Sequence, residues 1–584
     1  MRKTKIVCTL GPASSSEEKI RELIEAGMNV ARFNFSHGSH ESHLQTFGIV
    51  DRLRREMKAP IATLLDTKGP EIRLGLFQGG SAELHQGDRF TLTSEECMGD
   101  ATKVQISFPG LCQDVKRGDK ILLNDGAISL QVLETDEISI VCEVENGGII
   151  SDRKGVNVPG VHLSMPYVSE KDRADILFGA QTGFDFIAAS FARCAEDILQ
   201  IRSLLEREKA SHIRIIAKIE NAEGVANIDE ILRVSDGIMV ARGDMGVEVP
   251  YEDVPVYQKL LIRRCYNTGK MVITATQMLE SMIQNPRPTR AETADIANAI
   301  YDGTSAVMLS GETAAGKYPV EAVRTMAQIA ERAEQAINYK KRFFSREAGS
   351  LPDVTNAISH AACTTAYDLG AAAIITVTWS GTTARMLSKY RPDIPIAACT
   401  HLESTYYQLA LSWGVIPLLA DVKHDTDELF AHAVERTCQA GLCRDGNLVV
   451  ITAGVPMGVN GTTNTLKVHV VGDILVSGQG VNDKCALGRV CAAATEEDAL
   501  RNFQDGDVLV IPETSNALLP IMKKASAIVT ERGGLNSHAA IVGLALDIPV
   551  IVFAENASQI LKSSTYVRVD AAAGIVGNGQ KSHE

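Results

Sequence analysis

Short apolar runs alternate with amphipathic stretches along the first part of the chain. Eight runs read as strands: Ile6–Thr9, Val30–Phe35, Ile61–Asp66, Phe186–Phe191, Ile213–Ile219, Ile238–Ala241, Met271–Thr274 and Ala306–Leu309. Buried parallel strands are apolar on both faces, which is why these runs are nearly continuous rather than alternating. Helical periodicity fills most gaps, at Ser16–Ala26, Asp197–Lys209, Pro255–Thr268 and Val320–Ile337. The first of these has Ser at its start and Gly27 just past its end, the usual cap asymmetry. Eight strand-then-helix units predict an α/β fold of the (β/α)8 barrel type.

One gap is too long for a loop. Between Gly69 and Pro166 lie strand-like runs at Arg89–Thr93, Lys120–Leu123 and Ile138–Val144, with turns at Gly87-Asp88, Gly118-Asp119 and Asn124-Asp125-Gly126. This reads as an all-β insertion after the third strand, placed where a lid would cover the barrel mouth. Past about residue 342 the pattern becomes that of an open doubly wound sheet, with buried strands at Ala372–Thr378 and Asn447–Thr452. In a last segment, Gly478-Gln479-Gly480 and Gly506-Asp507 read as turns. The expected division is 1–69 and 167–341 for the barrel, 70–166 for the β lid, 342–472 for an α/β effector domain and 473–584 for a C-terminal domain. At 584 residues, four domains is the ordinary number.

Composition narrows the function. A net charge of −14 argues against nucleic acid as the main partner. No apolar run is long enough to span a bilayer, and the start is not a secretory signal. The 12 cysteines lack metal-ligand spacing and read as reduced thiols of a cytoplasmic protein.

The sharpest chemistry lies in Arg214–Asn221. Residues two apart share a face of a strand, so Lys218 and Glu220 point the same way. Asp244 ends the next apolar strand, Gly237–Ala241. A lysine and two carboxylates at strand ends cost too much desolvation to be idle, and resemble a divalent-metal site beside a fixed cation, as phosphoryl transfer requires. In Val30–Gly38, Arg32, Asn34 and Ser36 share one face and Phe33 and Phe35 the other. Arg32 suits phosphate or carboxylate, and Asn34 and Ser36 offer neutral oxygens for a monovalent cation. Asp66 and Thr67 add two more oxygens, unless Leu64–Arg73 is only a charged hinge. Thr274–Gln277 means little by itself, and Ser310–Thr313 reads as a helix cap and turn. Thr378, Ser380, Gly381, Thr382 and Thr383 join a strand to a helix, either as an anion site or as an ordinary cap. His538 lies in a Gly-Gly-x-x-Ser-His-Ala-Ala context and is either structural or a phosphate carrier.

These motifs resemble the pyruvate kinases of bacteria over about residues 1–472. The resemblance rests on Arg32–Gly38, Leu65–Arg73, Lys154–Asn157, Ile216–Asn221, Met239–Asp244, Thr274–Met282 and Met308–Thr313. It implies transfer of phosphoryl from phosphoenolpyruvate to ADP, giving pyruvate and ATP in glycolysis. It makes Glu220 and Asp244 ligands of Mg2+ or Mn2+, and Asn34, Ser36, Asp66 and Thr67 ligands of K+. Lys218 then stabilises the transferring phosphoryl and the enolate oxygen, and Arg32 holds the phosphate. Gly243 and Thr276 take the substrate carboxylate, with Asp244 beside them. Asn34, Phe35, Ser36, His37, Arg73 and Lys154 face the nucleotide. A phosphorylated small-molecule effector and a homotetramer are also implied. The last segment resembles the phosphohistidine domain of phosphoenolpyruvate synthase and pyruvate phosphate dikinase through Gly533–Ile541 and Ile548-Pro549. Gly543-Leu544 stands where those enzymes usually carry Arg, and no ATP-grasp domain is evident, so a structural or regulatory role is expected. The alternative is a dikinase-type phosphotransferase working through His538.

Overall fold

Eight parallel strands close into a barrel: β1 (Lys5–Thr9), β2 (Val30–Asn34), β3 (Ala62–Asp66), β4 (Phe186–Ala189), β5 (Arg214–Ile219), β6 (Gly237–Ala241), β7 (Met271–Ala275) and β8 (Ala306–Leu309). Around the ring their order is β1-β8-β7-β6-β5-β4-β3-β2, so neighbours in sequence are neighbours in space. The structure, a computed structural model, describes residues 1–345, 353–423, 425–454, 463–472 and 474–579. The boundary expected at 473 therefore falls outside the described residues. Every residue of β1, β3, β4, β6, β7 and β8 is buried, which is why the apolar runs were legible. Helix Glu17–Ala26 is capped by Ser16, whose side chain accepts from Lys19 N–H, and ends at Gly27 with φ 117°.

The insertion after β3 is a seven-stranded sheet whose edge strands are Ile72–Arg73 and Lys103–Gln105. An antiparallel bridge between Leu74 and Ile106 joins those edges, and Gly75 N–H donates to Gln105 O (2.7 Å). The all-β lid is thus a sheet whose two edges meet. At its entry, Gly69 adopts φ 75°, and a Cβ there would sit 2.8 Å from the Ser190 Cβ. Its N–H and that of Lys68 donate to the buried Asp172 carboxylate, which pins the hinge to the barrel.

A five-stranded sheet follows: β9 (Ala373–Val377), β10 (Ile396–Thr400), β11 (Val415–Leu419), β12 (Leu448–Gly454) and β13 (Thr463–Val470), in the order β11-β10-β9-β12-β13. That order reverses direction between β9 and β12, as in doubly wound folds. The last segment adds an eight-stranded sheet built from β14 (Ile474–Ser477), β15 (Gln479–Gly480), β16 (Cys485–Ala492), β17 (Val508–Ile511), β18 (Ala527–Thr530), β19 (Val550–Val552), β20 (Tyr566–Asp570) and β21 (Ile575–Asn578). Gly478–Gly480 is not the turn expected from its glycines: Gln479 and Gly480 pair antiparallel with Val552 and Ile551. A Cβ on Gly478 would lie 2.5 Å from Val552 O, so close backbone approach demands glycine there. Gly506 is a true turn residue, with φ 91°.

The chain divides into two compact units. One comprises Met1–Cys363, Thr376–Val422 and Ala453–Asn464; the other comprises Thr364–Ile375, Lys423–Thr452 and Thr465–Glu584. No helix among the described residues is long and apolar enough to cross a membrane.

Candidate functional site

Five adjacent strands bring charged and hydroxyl groups to one point at the C-terminal mouth of the barrel. Arg32, from β2, donates from Nε to Asp66 Oδ2 (2.6 Å) and from Nη1 to Thr9 Oγ1 (2.8 Å). Lys218, from β5, donates from Nζ to Ser190 Oγ (2.8 Å) and lies 3.1 Å from Asp66 Oδ1 and 3.0 Å from Glu220 Oε1. Lys218 and Glu220 do share a face, as strand alternation requires. Asp244 differs slightly from expectation: it sits in the helix Arg242–Glu248 that begins directly after β6, not at the strand end.

Burial sets the electrostatics. It pushes the Asp66 carboxyl up, but Arg32 and Lys218 together outweigh that and hold it below the usual carboxylate range. Burial alone would lower the Lys218 ammonium; Asp66 and Glu220 reverse this and raise it, so the charge is fixed. The Glu220 carboxyl is pushed up to about 7 by burial, which Lys218 opposes and Asp244 reinforces. Glu220 Oε2 accepts from Phe191 N–H (2.6 Å), but the buried Oε1, although beside Lys218 Nζ, is in hydrogen-bond geometry with no donor. An orphaned carboxylate oxygen next to a second carboxylate fits a hard divalent cation. Among the described residues no cluster of three or more His, Cys, Asp or Glu does so. A cation here would rest on two carboxylates and on oxygens of a bound ligand, a mode that Mg2+ uses.

Backbone strain concentrates at the same mouth. Phe191, Thr276 and Gln277 hold φ of 54°, 68° and 55°. A β-branched or bulky residue in this region is a genuine outlier, of the kind that gathers at active sites. Arg242 braces the Thr276 turn through its carbonyl (2.6 Å), and is itself held by Asp295 (2.7 Å). Thr276 Oγ1 accepts from Gly243 N–H (2.8 Å).

Asn34 and Asp66 are register partners on β2 and β3, so Asn34, Ser36, Asp66 and Thr67 lie together. Asn34 Oδ1 accepts from Ser36 N–H (3.1 Å), and Thr67 O accepts from Ser190 Oγ (2.7 Å). The Phe35 ring is buried against His43, with centroids 4.2 Å apart, and the Phe35 N–H donates to Asp66 O (3.0 Å). Its carbonyl accepts from Lys171 Nζ (2.7 Å). His37 is exposed. Under the lid, a cavity of about 550 Å³ is lined by Arg73, Lys154, Asp244 and Glu248 among others. That volume suits a nucleotide-sized ligand. Asn157 of the lid donates to Glu248 (2.8 Å), tying the lid to the barrel across the cavity. Glu312 is buried and accepts from Leu279 and Ser310 N–H groups (2.9 and 2.7 Å), which makes it a brace for the loop after β7.

Thr378–Thr383 joins β9 to the helix Thr382–Lys389 beside the point where the strand order reverses. Gly381 takes φ 78°, and its N–H donates to Thr378 Oγ1 (3.0 Å). The Thr383 hydroxyl pairs with Thr463 (2.6 Å), and the half-buried Ser380 and Thr382 hydroxyls lie 3.0 Å apart, with Arg385 donating to Thr382 Oγ1 (3.3 Å). His538 opens the helix His538–Leu546; its Nδ1 lies 3.0 Å from Thr514 Oγ1 and its Nε2 3.1 Å from Asn516 Oδ1. Ser190, Thr9, Arg242 and Lys171 carry much of this geometry and were not anticipated. Only Ser190 and Thr9, polar residues at strand ends, left a signal.

A fixed cation and two carboxylates beside a cavity of about 550 Å³, at the C-terminal face of a (β/α)8 barrel, mark a phosphoryl-transfer enzyme. Residues 1–323 match the family model "Pyruvate kinase, barrel domain", 356–469 match "Pyruvate kinase, alpha/beta domain", and 503–574 match "PEP-utilising enzyme, mobile domain". A pyruvate kinase of Geobacillus stearothermophilus is 53% identical over 583 residues, covering 100% of this chain and 99% of that one. One of Bacillus licheniformis is 51% identical over 584 residues, covering 100% of each chain. A crystal structure of a pyruvate kinase from Cryptosporidium parvum superposes with a TM-score of 0.76 at 40% identity, over 80% of this chain and 96% of that one. The chain belongs to the pyruvate kinase family, with the barrel, α/β and C-terminal domains expected of it.

Proposed function

We propose that the pyruvate kinase reaction, phosphoryl transfer from phosphoenolpyruvate to ADP, runs at the barrel mouth around Lys218. The observation that carries this is the Lys218 ammonium held between Asp66, Glu220 and Ser190. Phosphoryl transfer asks mainly for positioning and charge neutralisation. Lys218 and Arg32 supply positive charge to the phosphoryl group, and Lys218 also meets the enolate oxygen that forms as the phosphoryl leaves. The Gly243 N–H and Thr276 hydroxyl orient the substrate carboxylate. The braced turn at Thr276 fixes its hydroxyl beside the Gly243 N–H (2.8 Å), so the two donors stand together. Glu220 and Asp244 hold Mg2+ or Mn2+, which when bound supplies further neutralisation of phosphate charge. Asn34, Ser36, Asp66 and Thr67 form an all-oxygen set with one carboxylate, suited to K+. Asn34–His37, Arg73 and Lys154 serve the nucleotide, and closure of the lid over the cavity excludes water from it.

Regulation belongs to the same proposal. The Ser380–Thr382 hydroxyls at a helix N-terminus, beside a topological switch point, take the phosphate of a small effector. The homotetramer and the division at residues 69/70, 166/167, 341/342 and 472/473 are likewise proposed. The test is pyruvate formation in a coupled assay with Mg2+, with and without K+, across a panel of phosphorylated effectors. The expected results are turnover that needs the divalent cation, rises with K+ and responds to at least one effector. Equal turnover without K+ removes the monovalent site, and no response to any effector removes the loop assignment.

A further inference from the structure

Helix Thr426–Gln439 ends in a tight reversal that folds its last turn back on the following residues. Gly441 adopts φ 71°; its N–H donates to Cys438 O (2.8 Å), and Leu442 N–H donates to Thr437 O (3.2 Å). This glycine-dependent C-cap returns Cys443 onto Cys438, with the two Sγ atoms 3.2 Å apart. A disulfide bond is about 2.05 Å long, so closing it requires a movement of roughly 1.2 Å. Neither sulfur takes part in the chemistry assigned to the barrel mouth.

We propose that Cys438 and Cys443 form a dithiol modification site whose substrate is a peroxide, and which closes to an intramolecular disulfide. The two thiols have different surroundings. Cys438 is half-buried beside the exposed Gln439, Ala440 and Gly441, so a small oxidant reaches it from the surface. Cys443 is buried, and burial together with the neighbouring Cys438 thiol pushes its own thiol up to about 12. Cys438 therefore meets the peroxide and Cys443 resolves.

The chemistry balances. The Cys438 sulfur attacks one peroxide oxygen, the O–O bond breaks, and the leaving hydroxide takes the thiol proton as water, leaving a sulfenic acid. The Cys443 sulfur then attacks Cys438 Sγ. The S–O bond breaks and the departing hydroxide takes the Cys443 proton as a second water. Two thiols lose two electrons and two protons, and the peroxide accepts both. A thiol reductant reverses the step by exchange. The disulfide clamps the end of the helix to the segment that leads into β12.

The test uses the intact full-length chain. After treatment with hydrogen peroxide, free thiols are alkylated and the protein is digested with trypsin. Cleavage after Arg436 and Arg444 places both cysteines in one peptide, Thr437–Arg444. The expected product is that peptide lighter by two hydrogen atoms, without either alkyl group, and restored by dithiothreitol. In Cys443→Ala, which lacks the resolving thiol, Cys438 is expected to proceed to sulfinic acid instead. Three results overturn the proposal: both cysteines still alkylated, Cys438 reaching sulfinic acid in the unsubstituted chain, or the disulfide forming as fast in urea as in the folded protein. The unsubstituted chain alone decides these, so the test does not depend on the variant folding.

Discussion

Replacing Lys218 by Met separates the electrostatic role of this residue from its place in the fold. The ammonium lies 3.1 Å from Asp66 and 3.0 Å from Glu220, both buried carboxylates. Methionine keeps most of the volume but leaves the buried Glu220 without its cation, while Asp66 keeps only Arg32 (2.6 Å). Breaking a buried pair in this way costs about 3–5 kcal/mol of stability. The kinetic loss is distinct: a positioned charge at the transition state is worth at least ~10²–10³ in rate. Divalent-cation binding should persist, because Glu220 and Asp244 remain. Three measurements are needed: turnover of phosphoenolpyruvate and ADP at saturation, thermal unfolding, and Mn2+ binding followed by electron paramagnetic resonance. Turnover within tenfold of the parent in folded Lys218→Met protein refutes the assignment.

Three further outcomes are expected. Thr276→Gly relieves backbone strain of about 1–2 kcal/mol against a glycine entropy cost of about 0.5–1 kcal/mol. Stability should therefore move little while turnover falls, and a large stability loss with normal turnover would contradict the strain argument. Thr382→Glu places a negative charge where the effector phosphate is proposed to bind, so activation should vanish while activity at saturating substrate persists; unchanged activation in a titration would place the effector elsewhere. Lys5 is buried, donates to Val415 O (2.8 Å), and has its ammonium lowered to about 7, by burial first and then by Arg2. Between pH 7 and the unfolded lysine value near 10.4, the unfolded chain binds the extra proton, so the Lys5 contribution to stability rises with pH. The stability advantage of Lys5→Met should thus shrink by about 1.4 kcal/mol per pH unit from 7 to 9 in denaturant titrations; an advantage independent of pH would refute it.

The barrel was legible because a parallel strand buried on both faces cannot hide its composition, and because caps such as Ser16 and Gly27 marked helix ends. The lid was legible from its length and its Gly-Asp turns. The edge strand Gln479–Gly480 was not: two residues carry no periodicity, and glycines required for close approach look the same in sequence as glycines required for a turn. The Lys218–Glu220 pair followed from strand alternation alone. Ser190 was missed because a lone serine at a strand end is ordinary; only the fold brings it to Lys218 from the neighbouring strand. Arg242 and Lys171 act on backbone carbonyls, at Thr276 and Phe35, and no spacing rule announces such contacts.

In the proposed reaction phosphoryl passes at the barrel mouth and not through His538. Rapid quenching with phosphoenolpyruvate labelled in its phosphoryl group tests it most directly, with ADP and Mg2+ present. Label is expected in ATP at the turnover rate, with no labelled protein on that time scale and an unchanged course in His538→Ala. Label accumulating on His538 before ATP, together with a hundredfold slower reaction in folded His538→Ala, would contradict it.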